Sequence, residues 1–132
     1  MKTYYKADPW SIVEEEFDPG MQEASESIFS LGNGWMGQRA NFEERYTGNT
    51  LQGTYLAGVY YPDKTRVGWW KNGYPEYFAK VLNAPNWIGI QVDLDGETLD
   101  LAKGTVRSFS RELDMQKGLL NRKFEVEMVS GR

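Results

Sequence analysis

Between Pro62 and Tyr77 the sequence reads PDKTRVGWWKNGYPEY, which places the indoles of Trp69 and Trp70 beside the phenols of Tyr74 and Tyr77 and the cations Lys64, Arg66 and Lys71. Indole faces stack on sugar rings, and guanidinium or ammonium groups clamp phosphate. Arg66, Trp69, Trp70, Lys71 and Tyr74 are therefore candidates for contact with a sugar or an anion. The same residue types mark protein–protein contacts, and a loop of this composition can also fold back on its own core. Pro62, Pro75, Gly68 and Gly73 interrupt any strand or helix period through it. A long loop in a compact domain is usually functional or packed against something.

A second candidate is Gly32-Asn33-Gly34-Trp35-Met36-Gly37, which fits G-x-G-x-x-G letter for letter. A dinucleotide site needs a buried strand before the glycines, a helix after them and an acid roughly 20 residues on. The preceding ESIFSL is only half apolar, the candidate helix Gln38 to Tyr46 is short, and no Asp or Glu lies between Tyr46 and Pro62. Glycines serving a tight turn between two short strands fit better.

Carboxylates are numerous, at Glu14 to Glu16, Glu43, Glu44, Asp93, Asp95 and Glu97, and read as a solvated acidic surface. Asp93 and Asp95 flank a turn without the acid-rich loop that calcium requires. The chain has no histidine and no cysteine, which removes the commonest general base, the commonest zinc ligand and thiolate chemistry. With 15 Lys and Arg against 19 Asp and Glu, the formal net charge is −4. The cations form no stripe, which argues against nucleic acid. The start KTYYKADPW lacks the apolar run of a signal peptide, and no stretch reaches membrane-spanning length. A soluble, cytoplasmic domain is expected.

The elements that must position these residues read as strands. Lys2 to Phe17 is an extended start with Trp10 and Ile12 on one face and Glu14 to Glu16 toward water. Asp18-Pro19-Gly20 is a turn, and Met21 to Ser25 a helical turn. Leu51 to Tyr61 is rich in β-favouring types, with Gly53 and Gly58 marking bulges or close approach. Phe78 to Asn83 follows the aromatic loop. Ile88, Ile90, Val92 and Leu94 alternate with polar residues or glycine, the pattern of a half-buried antiparallel strand. Asp95-Gly96 is a strong hairpin signal. Thr105 to Leu113 and Leu119 to Val129 are further strands joined through Lys117-Gly118. Turns recur at roughly the 8–12-residue spacing of an all-β sandwich or barrel. Ser130-Gly131 reads as one more hairpin turn, so the strand before it is expected to present an unpaired edge and to favour self-association. The sequence is expected to be a fragment whose native chain continues.

Several stretches together resemble the amino-terminal region of glycoside hydrolase family 65. They are Glu26-Ser27-Ile28-Phe29-Ser30-Leu31-Gly32-Asn33-Gly34, Gly37-Gln38-Arg39-Ala40-Asn41-Phe42-Glu43-Glu44, Leu82-Asn83-Ala84-Pro85-Asn86-Trp87 before Asp95-Gly96-Glu97, and Arg111-Glu112-Leu113-Asp114-Met115 with Gly118-Leu119-Leu120-Asn121-Arg122. They occur in the family's order and cover most of the chain from Glu26 onward. Ala40 departs from the pattern, standing where many members have glycine. The loop from Tyr61 to Pro75 is similar to the version in the family's maltose-cleaving phosphorylases.

The resemblance implies an all-β chain: an antiparallel β-sandwich of the galactose-mutarotase-like type. Residues 1–132 would be the amino-terminal part of it, without the linker helices and the (α/α)-six barrel. It implies a parent enzyme that cleaves maltose with phosphate to glucose and β-glucose 1-phosphate, inverting the anomeric configuration. In such an enzyme a barrel glutamic acid protonates the departing oxygen while phosphate attacks from the opposite face. It implies no metal or organic cofactor, and a homodimer. No glutamate of this chain matches the catalytic one, so no catalytic residue is expected here and the segment alone should be inactive. Arg66, Trp69, Trp70, Lys71 and Tyr74 would then contact substrate, the chain's own barrel or a partner subunit. The alternatives are a free-standing carbohydrate-binding module using Trp69 and Trp70, and another disaccharide phosphorylase or hydrolase of the family.

Overall fold

The computed structural model describes residues 5–66 and 73–131. In chain order the strands are β1 (Tyr5–Ala7), β2 (Ser11–Glu14), β3 (Leu31–Gly32), β4 (Met36–Gln38), β5 (Thr54–Leu56), β6 (Tyr60–Lys64), β7 (Tyr77–Val81), β8 (Asp93–Leu94), β9 (Glu97–Thr98), β10 (Thr105–Asp114) and β11 (Leu119–Glu127). One helix, α1 (Gln22–Ile28), follows a short 3₁₀ turn at Pro19–Met21. All strand pairings are antiparallel, so the expected all-β antiparallel class is what the chain adopts.

The largest sheet has the order β1-β2-β10-β11. Its inner face can be read rung by rung. Ile12, Leu113 and Leu120 align across β2, β10 and β11, and Phe109 faces Phe124. Between them lies a polar rung that crosses all four strands: Tyr5, Glu14, Arg111 and Arg122. Side chains alternate along a strand, so the neighbouring residues Glu112, Asn121, Lys123 and Glu125 point the other way and are exposed. One face is therefore wet and the other covered.

The cover comes from α1 and the irregular segment after it. Asp18 accepts a hydrogen bond from the Gly20 N–H (2.8 Å) and Pro19 opens the 3₁₀ turn, the usual way to start a helical segment. Gln22, Ser25, Glu26 and Phe29 are all buried. Their spacing is one face of a helix, and three of the four are polar. Phe29 packs with Ala40 and Leu113, while Phe42, Tyr46, Leu101 and Phe109 form a second cluster that Phe17 joins. The methyl of Ala40 thus fills space beside Phe29 that a glycine would leave open.

The glycine pattern at 32–37 is a β-hairpin. Asn33 Oδ1 accepts from the Trp35 N–H (3.0 Å) and the Met36 N–H (2.8 Å), Gly34 has φ of +86°, and β3 returns as β4. This is the turn expected from the sequence. At the other hairpin, Asp95 and Gly96 both take positive φ, 51° and 86°, as a two-residue turn of primed type demands.

Several expectations are corrected. Glu14 is buried, not facing water, because its strand register puts it opposite Arg111. Trp10 is exposed: it sits in the turn between β1 and β2, where Asp8 accepts from the Trp10 and Ser11 N–H groups. Residues 38–46 are not helical but run as β4 into an irregular segment. Leu51 to Tyr61 divides at Gly58 (φ +81°) into β5 and the start of β6. The alternating run from Ile88 forms ladder only at Asp93–Leu94; upstream, the Ile90 N–H bonds the Glu43 carbonyl (2.8 Å), and Ile90 and Leu94 are exposed. Alternation marks two faces but does not supply a neighbouring strand to pair with.

Candidate functional site

Two features of this fold could carry function, one buried and one exposed. The buried one is the polar rung. Arg111 is 1% exposed, and its Nε lies 2.8 Å from Glu14 Oε2. Its other nitrogens donate to Gln22 Oε1 (2.8 Å) and the Ala40 carbonyl (3.2 Å). The guanidinium carbon lies 5.3–5.5 Å from the ring centres of Phe29, Phe42 and Phe109. Glu14 accepts in turn from the Ser25 hydroxyl (2.6 Å), which also meets the Tyr5 hydroxyl (3.1 Å). Next along the rung, Arg122 donates to Glu44 (2.8 Å) and Glu43 (2.7 Å) and covers the rings of Phe42 and Phe124. Phe42 thus has two guanidinium groups within reach of its ring, an arrangement attractive to both.

Glu26 completes the network from α1. Its carboxylate accepts from the Thr50 hydroxyl and from the Leu51 N–H (2.6 Å), with Gln22 Nε2 at 3.2 Å. Glu14, Glu26, Glu43 and Glu44 each have a structural partner, and the expected solvated acidic surface is corrected for Glu14 and Glu44, which are buried. Among the described residues no group of three or more carboxylates is placed to hold a metal ion. Within the second core cluster, burial pushes the Tyr46 phenol up, and the charges of Asp100 and Glu26 add to it. Burial also pushes Asp100 up, but hydrogen bonds from the Thr47 hydroxyl (2.7 Å), the Thr47 N–H (3.2 Å) and the Ala102 N–H (3.0 Å), with Lys103 nearby, outweigh it and hold the carboxyl below its ordinary value. These groups fasten the turn at 100–104 to the segment at 46–48. This network is built for structure.

The exposed feature is the β6–β7 hairpin. Tyr60, Tyr61, Tyr77, Phe78 and Val81 all lie open to solvent on it. Beside it Trp35 stands at the tip of the β3–β4 turn, 77% exposed, while its backbone is fixed by Asn33 and by its carbonyl accepting from the Ala57 N–H (2.8 Å). Trp35, Tyr55, Val59, Tyr60 and Val81 wall a groove of about 390 Å³. Tyr60, Tyr77 and Val81 share one face of the ribbon and Tyr61 and Phe78 the other, and exposed apolar surface of this kind is a candidate for interaction.

Of the site residues expected from the sequence, Arg66 and Tyr74 are exposed at the end of this hairpin. The neck of the loop between them is pinned by the Thr65 N–H to the Glu76 carbonyl (2.9 Å) and the Thr65 hydroxyl to the Pro75 carbonyl (2.6 Å). Trp69, Trp70 and Lys71 lie outside the described residues. Sequence reasoning missed the rung. The available signal was an arginine inside each apolar period-2 stripe, Phe109-x-Arg111-x-Leu113 and Leu120-x-Arg122-x-Phe124.

The geometry can be set beside known proteins. Residues 12–132 match the family described as glycosyl hydrolase family 65, N-terminal domain. A maltose phosphorylase of Bacillus subtilis (strain 168) is 52% identical over 118 residues, covering 89% of this chain and 16% of its own length. An alpha,alpha-trehalose phosphorylase of Thermoanaerobacter brockii is 36% identical over 138 residues, covering 99% of this chain and 17% of its own length. A solved structure named for a kojibiose phosphorylase, from the human microbiome, superposes with a TM-score of 0.80 at 38% identity, covering 93% of this chain and 16% of that one. The chain therefore spans only a small part of the proteins it matches. Glu26, Phe42, Glu43, Glu44, Arg111 and Arg122, which make the network described above, lie within the matched residues 12–132. On these grounds the chain belongs to glycosyl hydrolase family 65, as its N-terminal domain.

Proposed function

We propose that this chain is the non-catalytic N-terminal β domain of a cytoplasmic maltose phosphorylase, and that its aromatic hairpin face docks on the catalytic domain of the same polypeptide. The observation that carries the substrate is the 52% identity to a maltose phosphorylase, against 36% to a trehalose phosphorylase and 37% to a kojibiose phosphorylase. The parent enzyme converts maltose and phosphate to glucose and β-glucose 1-phosphate and works as a homodimer. It needs no metal, because an acid protonates the leaving oxygen and phosphate is itself the nucleophile. The chain's own contribution is a rigid platform. The committed state of Glu14, Glu26, Glu43 and Glu44 supports a domain without catalytic carboxylates.

The full-length parent tests this reading directly. Maltose should be consumed only when phosphate is present, and the product should be the β-anomer of glucose 1-phosphate. The 132-residue chain assayed alone should show no turnover. Phosphate-independent hydrolysis of maltose by the parent, or phosphorolysis of trehalose in preference to maltose, would overturn the assignment.

A further inference from the structure

One outer edge of the largest sheet is β11. It is the last strand in the order β1-β2-β10-β11, and among the described residues its backbone hydrogen bonds go to β10 alone. A free edge is a template for another strand unless proline, a bulge or a cover blocks it. Residues 119–127 hold no proline, and their register against β10 is unbroken from Asp114↔Leu119 to Ser108↔Glu125. We propose that this edge is a self-recognition surface: two copies of the chain pair β11 with β11, antiparallel, about a two-fold axis through Phe124.

Charge selects both the partner and the register. On the wet face of the sheet Lys123 lies opposite Ser110 and Glu125 opposite Ser108, so β10 offers neither of them an opposite charge. Both are exposed, and among the described residues neither joins an ion pair. The other charges of the strand are already matched, Arg122 to Glu43 and Glu44, and Glu127 to Arg107. Two unmatched opposite charges, two residues apart on one edge, are satisfied by a two-fold axis between them. Each copy then presents its lysine to the other's glutamate.

Other registers fail this condition. Residues directly opposite share a face, and a slip of one residue would turn Arg122 and Phe124 out of the covered side, so the axis must pass through a residue. At Arg122, Lys123 or Glu125 it sets that charge against its own copy, and at Val126 it sets Glu125 against Glu127. An axis nearer Leu119 shortens the ladder. Through Phe124 it sets Lys123 against Glu125 twice, Asn121 against Glu127 and Arg122 against Val126, with no like charges opposed. The covered faces of both copies then lie on the same side, and the two sheets run on as one.

The surface belongs to this chain and does not rest on the maltose reading. The test is sedimentation velocity of the 132-residue chain from micromolar to millimolar concentration, where a reversible monomer–dimer equilibrium is expected. Lys123→Glu and Glu125→Lys each oppose like charges in both symmetric pairs and should weaken the dimer about tenfold or more. An equimolar mixture of the two variants sets Glu against Lys in every pair and should restore it as a heterodimer. The double variant, Lys123→Glu with Glu125→Lys, should dimerise as the wild type does. Both positions are exposed, so each variant keeps the fold, which circular dichroism checks. A strictly monomeric wild type, a dimer indifferent to both single swaps, or a mixture no stronger than either variant alone would each overturn the proposal. A monomer whose β11 amides exchange as slowly as those of β10 would place another segment of the same chain on the edge and overturn it too.

Discussion

Replacing Arg111 by methionine removes one charge from the polar rung while keeping a long side chain among the same rings. Glu14 would keep its hydrogen bond from Ser25 but lose the cation at 2.8 Å. Gln22 Oε1 and the Ala40 carbonyl would each lose a buried donor. Removing one partner of a buried ion pair typically costs about 3–5 kcal/mol, mostly because the remaining charge has no compensation. Methionine recovers part of the packing against Phe29, Phe42 and Phe109, so most of the effect is the lost charge and its hydrogen bonds. At an unfolding entropy of about 2.1 cal/mol/K per residue, this loss lowers Tm by roughly 11–18 °C in a chain of this size. Urea unfolding followed by tryptophan fluorescence should show a lower midpoint with an unchanged m-value. The matching double variant, Glu14→Gln with Arg111→Met, removes both charges and leaves an acceptor for Ser25. Its loss should fall short of the sum of the single losses by about 1.5 kcal/mol or more. A loss below about 1 kcal/mol for Arg111→Met, or single losses that add within about 0.5 kcal/mol, would refute the view that this pair anchors the sheet.

Three further outcomes follow from the same geometry. Arg122→Lys keeps the charge but cannot serve Glu43 and Glu44 together while lying over Phe42, so it should cost about 1–2 kcal/mol in thermal unfolding, and an unchanged Tm would contradict the stacking role. The Asp100 carboxyl is held below its ordinary 3.8 in the folded chain, so its contribution is complete above that value and disappears as pH falls through the depressed one; wild type and Asp100→Asn should converge in urea midpoint on acidification, and parallel pH profiles would count against it. Trp35→Ser should leave this chain's own stability within about 0.5 kcal/mol, because the turn is held through Asn33 and not through the indole, yet it should lower the Tm of the full-length parent if the aromatic face is buried there.

The hairpins were legible in the sequence because their signals are local. Asp95-Gly96 and the glycines around Asn33 demand backbone conformations that few other residues accept, and the structure uses them as turns. The strand pair β10–β11 was legible from the Lys117-Gly118 turn and from the period-2 alternation of β11, although β10 breaks that period at a bulge between Val106 and Ser108. The polar rung was not, since the periodic positions Gln22, Ser25, Glu26 and Glu14 are of types that read as surface. Only the register between distant strands shows that they face inward. Ile88 to Leu94 failed for the converse reason: its pattern fits a strand, but a ladder also needs a neighbour at the right place, which no local pattern encodes. The exposed candidate surface was legible only in part. Arg66 and Tyr74 lie open at the hairpin end, while Trp35, fixed at a turn tip, stands in the sequence only as one letter of a glycine motif.

The sheet joins strands of very different sequence separation. β10 and β11 are neighbours, held at their turn by Asp114, which accepts from the Lys117 N–H (3.0 Å), whereas β2 reaches β10 from the far end of the described chain. The β10–β11 hairpin can form on its own in microseconds, but β2 must close a long loop before its pairing is rewarded. The contact between Glu14 and Arg111 is therefore expected to form late, so Arg111→Met should speed unfolding more than it slows folding in a chevron measurement. Its strength then governs how fast the native sheet opens rather than how fast it assembles. On this expectation the Glu14–Arg111 end of the rung would act as a latch on the sheet, set last and released first.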